Sequence, residues 1–330
     1  MTNIIIIYSI ISFLLIFIIA VASYRLELVD IPNKRKKHLK PVAFTGGLSL
    51  SLAYIFSIQF FDIPLKQLNI ILSISFLMSI VGFIDDKYNL NTGGKLSLQI
   101  IPIIYLIIIE SLNLNQLGDY YFFKLELSSL SVPFSLICVL FLINAFNYFD
   151  GLDGILGSTS ISVLIILYFL TSDENIKLFL IIIILPIFIF LFFNFSFLNL
   201  PKIFLGDSGS LLLGFIVAFT LIYFANQKIS HPILLAWSIS IFVYEFLSIN
   251  LLRILNNKNI FEPGLDHLHH IVLKKTKSIF FTNILISTTN IIFFLIGYFS
   301  FNLIGSLTSF ILFIFLFIIF FIIRKNIFCI

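Results

Sequence analysis

Charge is scarce in this chain: only 11% of its 330 residues are Asp, Glu, Lys or Arg, while 60% are hydrophobic and 42 are Phe. So few polar groups cannot cover a soluble globule, and a soluble enzyme or a free-standing binding domain is excluded. Cysteine is scarcer still. Cys138 and Cys329 provide no disulfide framework, and redox chemistry is not indicated. A basic start and a small-residue cleavage site are missing from "MTNIIIIYSIISFLLIFIIA", so the first apolar stretch is expected to stay as a helix and not to be removed as a signal peptide. No long linker, low-complexity tail or internal repeat divides the chain, which reads as one domain over 1–330.

What is present is a succession of apolar runs of membrane-spanning length. About eleven are expected, at roughly 3–24, 44–61, 68–84, 97–110, 131–148, 155–171, 177–198, 208–225, 232–254, 279–300 and 302–323. The fold class is therefore an all-α, polytopic helical membrane bundle. With the N-terminus outside, sixteen of the twenty basic residues fall in alternate loops and in the C-terminal tail, and only Lys66, Lys124, Lys177 and Lys228 fall on the other side. By the positive-inside rule the richer side is cytoplasmic, and the C-terminus lies there too.

Acidic residues need not obey that rule, so their placement is separate information. Asp85, Asp86, Asp150, Asp153, Asp207, Glu245 and Asp266 map to the same side, with His38, His267, His269 and His270. Charge of both signs at helix ends points to a site for a charged ligand arriving from the cytosol.

Four stretches carry chemistry. In "DDKYNLNTGGK", Asp85 and Asp86 end a span, and a flexible Gly93-Gly94 turn is expected to bring Lys95 back toward them. Adjacent carboxylates repel, and Mg²⁺ or Mn²⁺ would relieve the repulsion; a solvated loop is the plainer alternative. In "NAFNYFDGLDG", Asn144, Asn147, Asp150 and Asp153 recur every three residues along one broad face, suited to sugar, nucleobase or hydrated metal, or to an interhelical polar contact. "FLGDSGSLLLG" sets Asp207 at a helix start, either as an N-cap or beside open amides that favour anions. "EPGLDHLHH" places three imidazoles within four residues beside Lys274 and Lys275, an arrangement for binding an anion more than zinc.

Together with "DIPNKRKKHLKPVAFTGG" at 30–47, these motifs resemble in order and spacing those of the membrane polyprenyl-phosphate N-acetylhexosamine-1-phosphate transferases, glycosyltransferase family 4. The resemblance covers about 25–275. "HLHH" resembles the branch acting on undecaprenyl phosphate with GlcNAc-1-phosphate, which starts O-antigen, common-antigen or teichoic-acid linkage synthesis. Members of that branch often carry an arginine shortly before the histidines, where this chain reads Gly264-Leu265-Asp266.

The resemblance implies transfer of a sugar-1-phosphate from a UDP-N-acetylhexosamine, by default UDP-GlcNAc, to undecaprenyl phosphate. UMP is released at the cytoplasmic face of a bacterial inner membrane. It also implies Mg²⁺, with Mn²⁺ as an alternative, bound by Asp207 first and by Asp85 and Asp86. Catalysis would rest on these and Lys95. Asn144, Asn147, Asp150, Asp153 and Phe204 would line the donor pocket, His267, His269 and His270 would hold the diphosphate, and His38 with the Lys34–Lys37 run would draw anions to the interface. The bilayer is the environment, no nucleic acid is implied, and a homodimer is left open. Alternatives are a phospho-MurNAc-pentapeptide donor and an aspartyl-phosphate intermediate on Asp85. An ion-coupled transporter would need midplane charges, and the mid-span regions hold almost none.

Overall fold

Where backbone polar groups cannot reach water, long apolar runs satisfy them internally as helices. The computed structural model describes residues 2–32, 40–61, 63–259, 264 and 266–328. In chain order the helices are α1 (Thr2–Arg25), α2 (Gly46–Phe60), α3 (Lys66–Tyr88), α4 (Thr92–Ile104), α5 (Ser131–Phe149), α6 (Ile155–Leu170), α7 (Glu174–Asn194), α8 (Gly206–Asn226), α9 (Pro232–Ser238), α10 (Ser240–Leu255), α11 (Leu268–Thr276), α12 (Ile279–Leu303) and α13 (Ser306–Phe328). Two small antiparallel pairs complete the described fold: β1 (Val29–Asp30) with β2 (Val42–Ala43), and β3 (Gln116–Asp119) with β4 (Lys124–Glu126).

Each expected apolar run is helical. Among the described residues eight helices are long and apolar enough to cross a membrane, and α9 with α10 form a ninth such segment bent by 73°. Asn290 holds the bend: its side-chain amide donates to the Ser238 carbonyl at 2.9 Å and its oxygen accepts the Ile241 amide at 3.4 Å. The other two, α2 and α6, have 15 and 16 residues. At 1.5 Å per residue they measure about 22–24 Å, shorter than a hydrocarbon core of about 30 Å.

α8 forms the axis. It is buried along its whole spanning window, whereas α13 is buried over only 6% of its own. Glycines let the neighbours reach the start of α8: a Cβ on Gly47 would lie 2.0 Å from the Gly209 nitrogen, and one on Gly82 would lie 2.3 Å from the Asp207 carbonyl oxygen. No larger residue fits there.

Two local expectations are corrected. Gly93 and Gly94 form no flexible turn but lie in the first turn of α4, where the Asn91 side chain accepts the Gly94 amide at 2.7 Å. The reversal is made earlier, by Asn89 in the left-handed region at φ 50°. Likewise, α4 starts at Thr92, five residues before the expected run, and a π-helical turn over Tyr105–Ile109 extends it.

Candidate active site

Ser23 against Thr45, Asp86 against Asp207, Lys95 against Asp85, Asp153 against Asn283 and Glu245 against Arg324 bring alternating helix ends to one end of the bundle. Asn226 bonded to Asn113 and Ser306 bonded to Asp119 mark the opposite end.

At the centre Lys95, from the first turn of α4, places its ammonium between two carboxylates. It lies 2.7 Å from Asp85 Oδ2 and makes a very short contact with Asp207 Oδ2. The Leu90 amide donates to Asp85 Oδ1 at 2.9 Å. Asn147 Nδ2 donates to Asp207 Oδ1 and to Ser210 Oγ, both at 2.9 Å. Three motifs far apart in sequence thus meet on one aspartate.

Asp86 faces differently. Its Oδ1 and Oδ2 accept the amides of Asp207 and Ser208 at 3.0 and 3.2 Å, so it caps α8 from another helix. Two expectations change: Asp207 does not cap its own helix, and two of the amides expected to be open to an anion are taken. Gly206, at φ 72°, makes this approach feasible, because a Cβ there would meet Asp86 Oδ2 at 2.6 Å. The segment just before α8 is fixed by the Gly46 and Gly47 amides donating to the Phe204 and Leu205 carbonyls at 3.0 and 2.9 Å.

The second motif divides. Asn144 Nδ2 donates to its own helix at Leu140 O (2.7 Å), so its amide nitrogen is committed within α5. Asp150 ends α5. Burial first, then the negative charges of Asp207 and Asp153, push its carboxyl up to about 8. Asp153 pairs with Lys202 at 2.6 Å, and Lys202 also sits 5.5 Å from the Phe204 ring centre.

The histidines pack as a stack at the same end. The rings of His267 and His269 are nearly parallel with centres 5.5 Å apart, and His270 lies 4.4 Å from His269. His269 is fully buried, and a Cβ on Gly151 would strike its Nε2 at 2.1 Å, so the run bears directly on the "DGLDG" turn. Burial holds His269 well below the usual imidazole range and His267 at about 4; both are neutral. Burial raises Asp266, but the hydrogen bonds and charge of Arg253 outweigh it and hold that carboxyl below its ordinary value. His38 and the Lys34–Lys37 run lie outside the described residues.

Among the described residues no three His, Cys, Asp or Glu side chains converge as a ready-made metal cage. The donor set nonetheless fits Mg²⁺. That ion is commonly held by one or two carboxylates with waters and substrate phosphates completing its shell. Asp85 and Asp207 already share one cation, the Lys95 ammonium.

Sequence reasoning did not single out Lys202, Ser210, Arg253 or Arg324. Lys202 had a signal in standing two residues before Phe204. In sequence the arginines serve only as topology markers.

A multi-pass helical membrane protein with a carboxylate–lysine centre at one end of its bundle is the class that fold and site define. The description glycosyl transferase family 4 matches residues 68–225, which include Asp85, Asp86, Lys95, Asn147, Asp150 and Asp207. Over that segment the chain is similar to the family, and the curated relatives agree with it. It is 26% identical over 271 residues to the undecaprenyl-phosphate alpha-N-acetylglucosaminyl 1-phosphate transferase of Yersinia pestis, covering 80% of this chain and 74% of the relative. It is 28% identical over 273 residues to the protein of that name from Escherichia coli K12, with 79% and 73% covered, and 26% identical over 270 residues to that of Thermotoga maritima, with 81% and 80% covered.

Proposed function

We propose that this protein transfers a sugar-1-phosphate from a UDP-N-acetylhexosamine to undecaprenyl phosphate. The acceptor's phosphate oxygen attacks the sugar-bearing phosphorus, the bond from that phosphorus to the bridging oxygen breaks, and UMP leaves. The observation that carries the reading is Lys95 held between Asp85 and Asp207, with Asn147 on the remaining Asp207 oxygen.

An acceptor phosphate is already mostly ionised near pH 7, with a second pKa near 6. A strong general base is unnecessary. The barrier is bringing two polyanions together in line, so catalysis rests on charge neutralisation and positioning. Lys95 supplies one fixed positive charge. Asp207 and Asp85 would hold Mg²⁺, which when bound neutralises phosphate charge and orients the oxygens. Asp86 keeps the start of α8, and so Asp207, in place. Asn147 fixes the Asp207 rotamer, Asp150 and Asp153 line the donor side with Phe204 and Lys202, and His267, His269 and His270 border it.

The eleven apolar segments are read as eleven crossings, N-terminus outside and C-terminus inside, with the site at the cytoplasmic face of a bacterial inner membrane. UDP-GlcNAc is the expected donor, because the relatives carry that sugar in their names. Purified protein with Mg²⁺ should release UMP from UDP-GlcNAc only when undecaprenyl phosphate is present. UMP release independent of lipid would defeat the proposal; preference for UDP-GalNAc or a 6-deoxy donor, compared as kcat/KM, would overturn only the sugar.

A further inference from the structure

The last helix is a peripheral, almost wholly apolar element, yet its final turns bury a charge completely. Arg324 and Glu245 are each 1% exposed at the side chain. Arg324 Nε and Nη2 donate to Glu245 Oε2 and Oε1 at 3.0 and 2.9 Å. Such a pair is expensive to desolvate and is weak as a device for stability alone.

Its further bonds show where its geometry is directed. Arg324 Nη2 also donates to the Asp266 carbonyl at 2.8 Å, and Glu245 Oε1 accepts the Leu268 amide at 2.8 Å. The backbone on either side of His267 is thus held by one ion pair. A second pair, Arg253 Nε and Nη2 donating to Asp266 Oδ2 and Oδ1 at 3.1 and 2.8 Å, holds the adjoining side chain. From this anchor α11 starts, and it presses His269 onto Gly151.

We propose that Arg324, acting through Glu245 and the Asp266 carbonyl, is a positioning residue that sets the histidine run against the "DGLDG" turn, so that α13 completes a site whose other parts all lie earlier in the chain. Arg324 lies outside the segment matched by the family, 68–225. The consequence for substrate rests on reading the histidines as donor-phosphate contacts; the consequence for geometry does not.

Two variants separate positioning from simple helix pairing. Exchanging the charges, Glu245→Arg with Arg324→Glu, preserves an ion pair between α10 and α13. It then sets a donor against the Leu268 amide and an acceptor against the Asp266 carbonyl. Arg324→Lys keeps the charge but loses the planar fork that serves two acceptors at once. Each purified variant is tested for a folded elution profile and unfolding midpoint, for carbethoxylation of His269 by diethyl pyrocarbonate read by tandem mass spectrometry, and for KM and kcat.

In the folded variants His269 should be modified about fivefold faster than in wild type, and KM for the nucleotide sugar should rise about tenfold with a smaller change in kcat and in KM for the lipid. A folded exchange variant that protects His269 and keeps wild-type KM would overturn the proposal. If wild type transfers no sugar phosphate at all, the transferase reading fails by itself, and the His269 modification rate still decides whether Arg324 positions the run.

Discussion

Asp86 and Asp207 meet through the backbone and not side chain to side chain: the Asp207 amide donates to Asp86 Oδ1 at 3.0 Å. Neighbouring carboxylates at the end of one helix therefore have separate tasks. Asp85 shares Lys95 with Asp207, while Asp86 caps the helix that carries Asp207.

That division predicts opposite phenotypes. Asp86→Ala should lower stability by about 1–2 kcal/mol through loss of the cap, seen as a lower unfolding midpoint in detergent. Asp207→Asn should leave the midpoint nearly unchanged and reduce turnover at least about 100-fold, because charge is lost while shape is kept. A stable, active Asp86→Ala protein would refute the capping role.

Lys95→Gln leaves Asp85 and Asp207 facing each other without their shared ammonium. Breaking a mostly buried pair typically costs about 3 kcal/mol or more. Turnover should disappear, and millimolar Mg²⁺ should raise the midpoint of the variant more than that of wild type, since a cation can relieve the repulsion. Chelator should abolish both this thermal gain and wild-type activity. An equal Mg²⁺ response in both proteins would argue against binding between these carboxylates.

Asp150 gives a pH signature in chelator. An unfolded Asp titrates near 4, whereas burial and the charges of Asp207 and Asp153 hold the folded group at about 8. A pKa raised by folding contributes stability that is full below about pH 4 and is lost as pH rises to about 8. Asp150→Asn should therefore unfold at a higher temperature than wild type at pH 8, and the gap should shrink as pH falls toward 5. A constant gap across that range would contradict the shift.

Single cysteines test orientation. Cysteines replacing Asn91 and Asn259 should be shielded from an impermeant thiol reagent in intact cells, and ones replacing Lys66 and Phe122 should label. Phe122 is 78% exposed at the tip of the β3–β4 hairpin, so labelling there needs no unfolding. The reverse pattern would invert the topology.

Apolar run length made the helices legible, because in lipid composition alone nearly determines secondary structure. The gathering of carboxylates was legible too, from their shared side. Which carboxylate does what was not. Asp85 and Asp86 are adjacent and chemically identical, and their roles separate only because successive helical residues point about 100° apart, one toward Lys95 and the other toward the start of α8. Gly93-Gly94 misled as a turn signal because Asn91 caps a helix across it. Arg324 was opaque for a different reason: in a 23-residue apolar helix, an arginine near the end looks like a topology marker, and only the fold brings Glu245 to it from 79 positions away.

The contact between Gly47 and Gly209 places two main chains against each other with no side chain between them. Side chains are the compliant part of a protein interior, since they change rotamer without moving the chain. At this joint that compliance is missing. The carboxylates above it therefore sit on something nearer to a welded corner than to a bearing, and the geometry at Asp207 should change little as the surrounding lipid thickens or thins. The other flank differs, because there His269 rests on Gly151 by side-chain packing, which can give without moving a main chain.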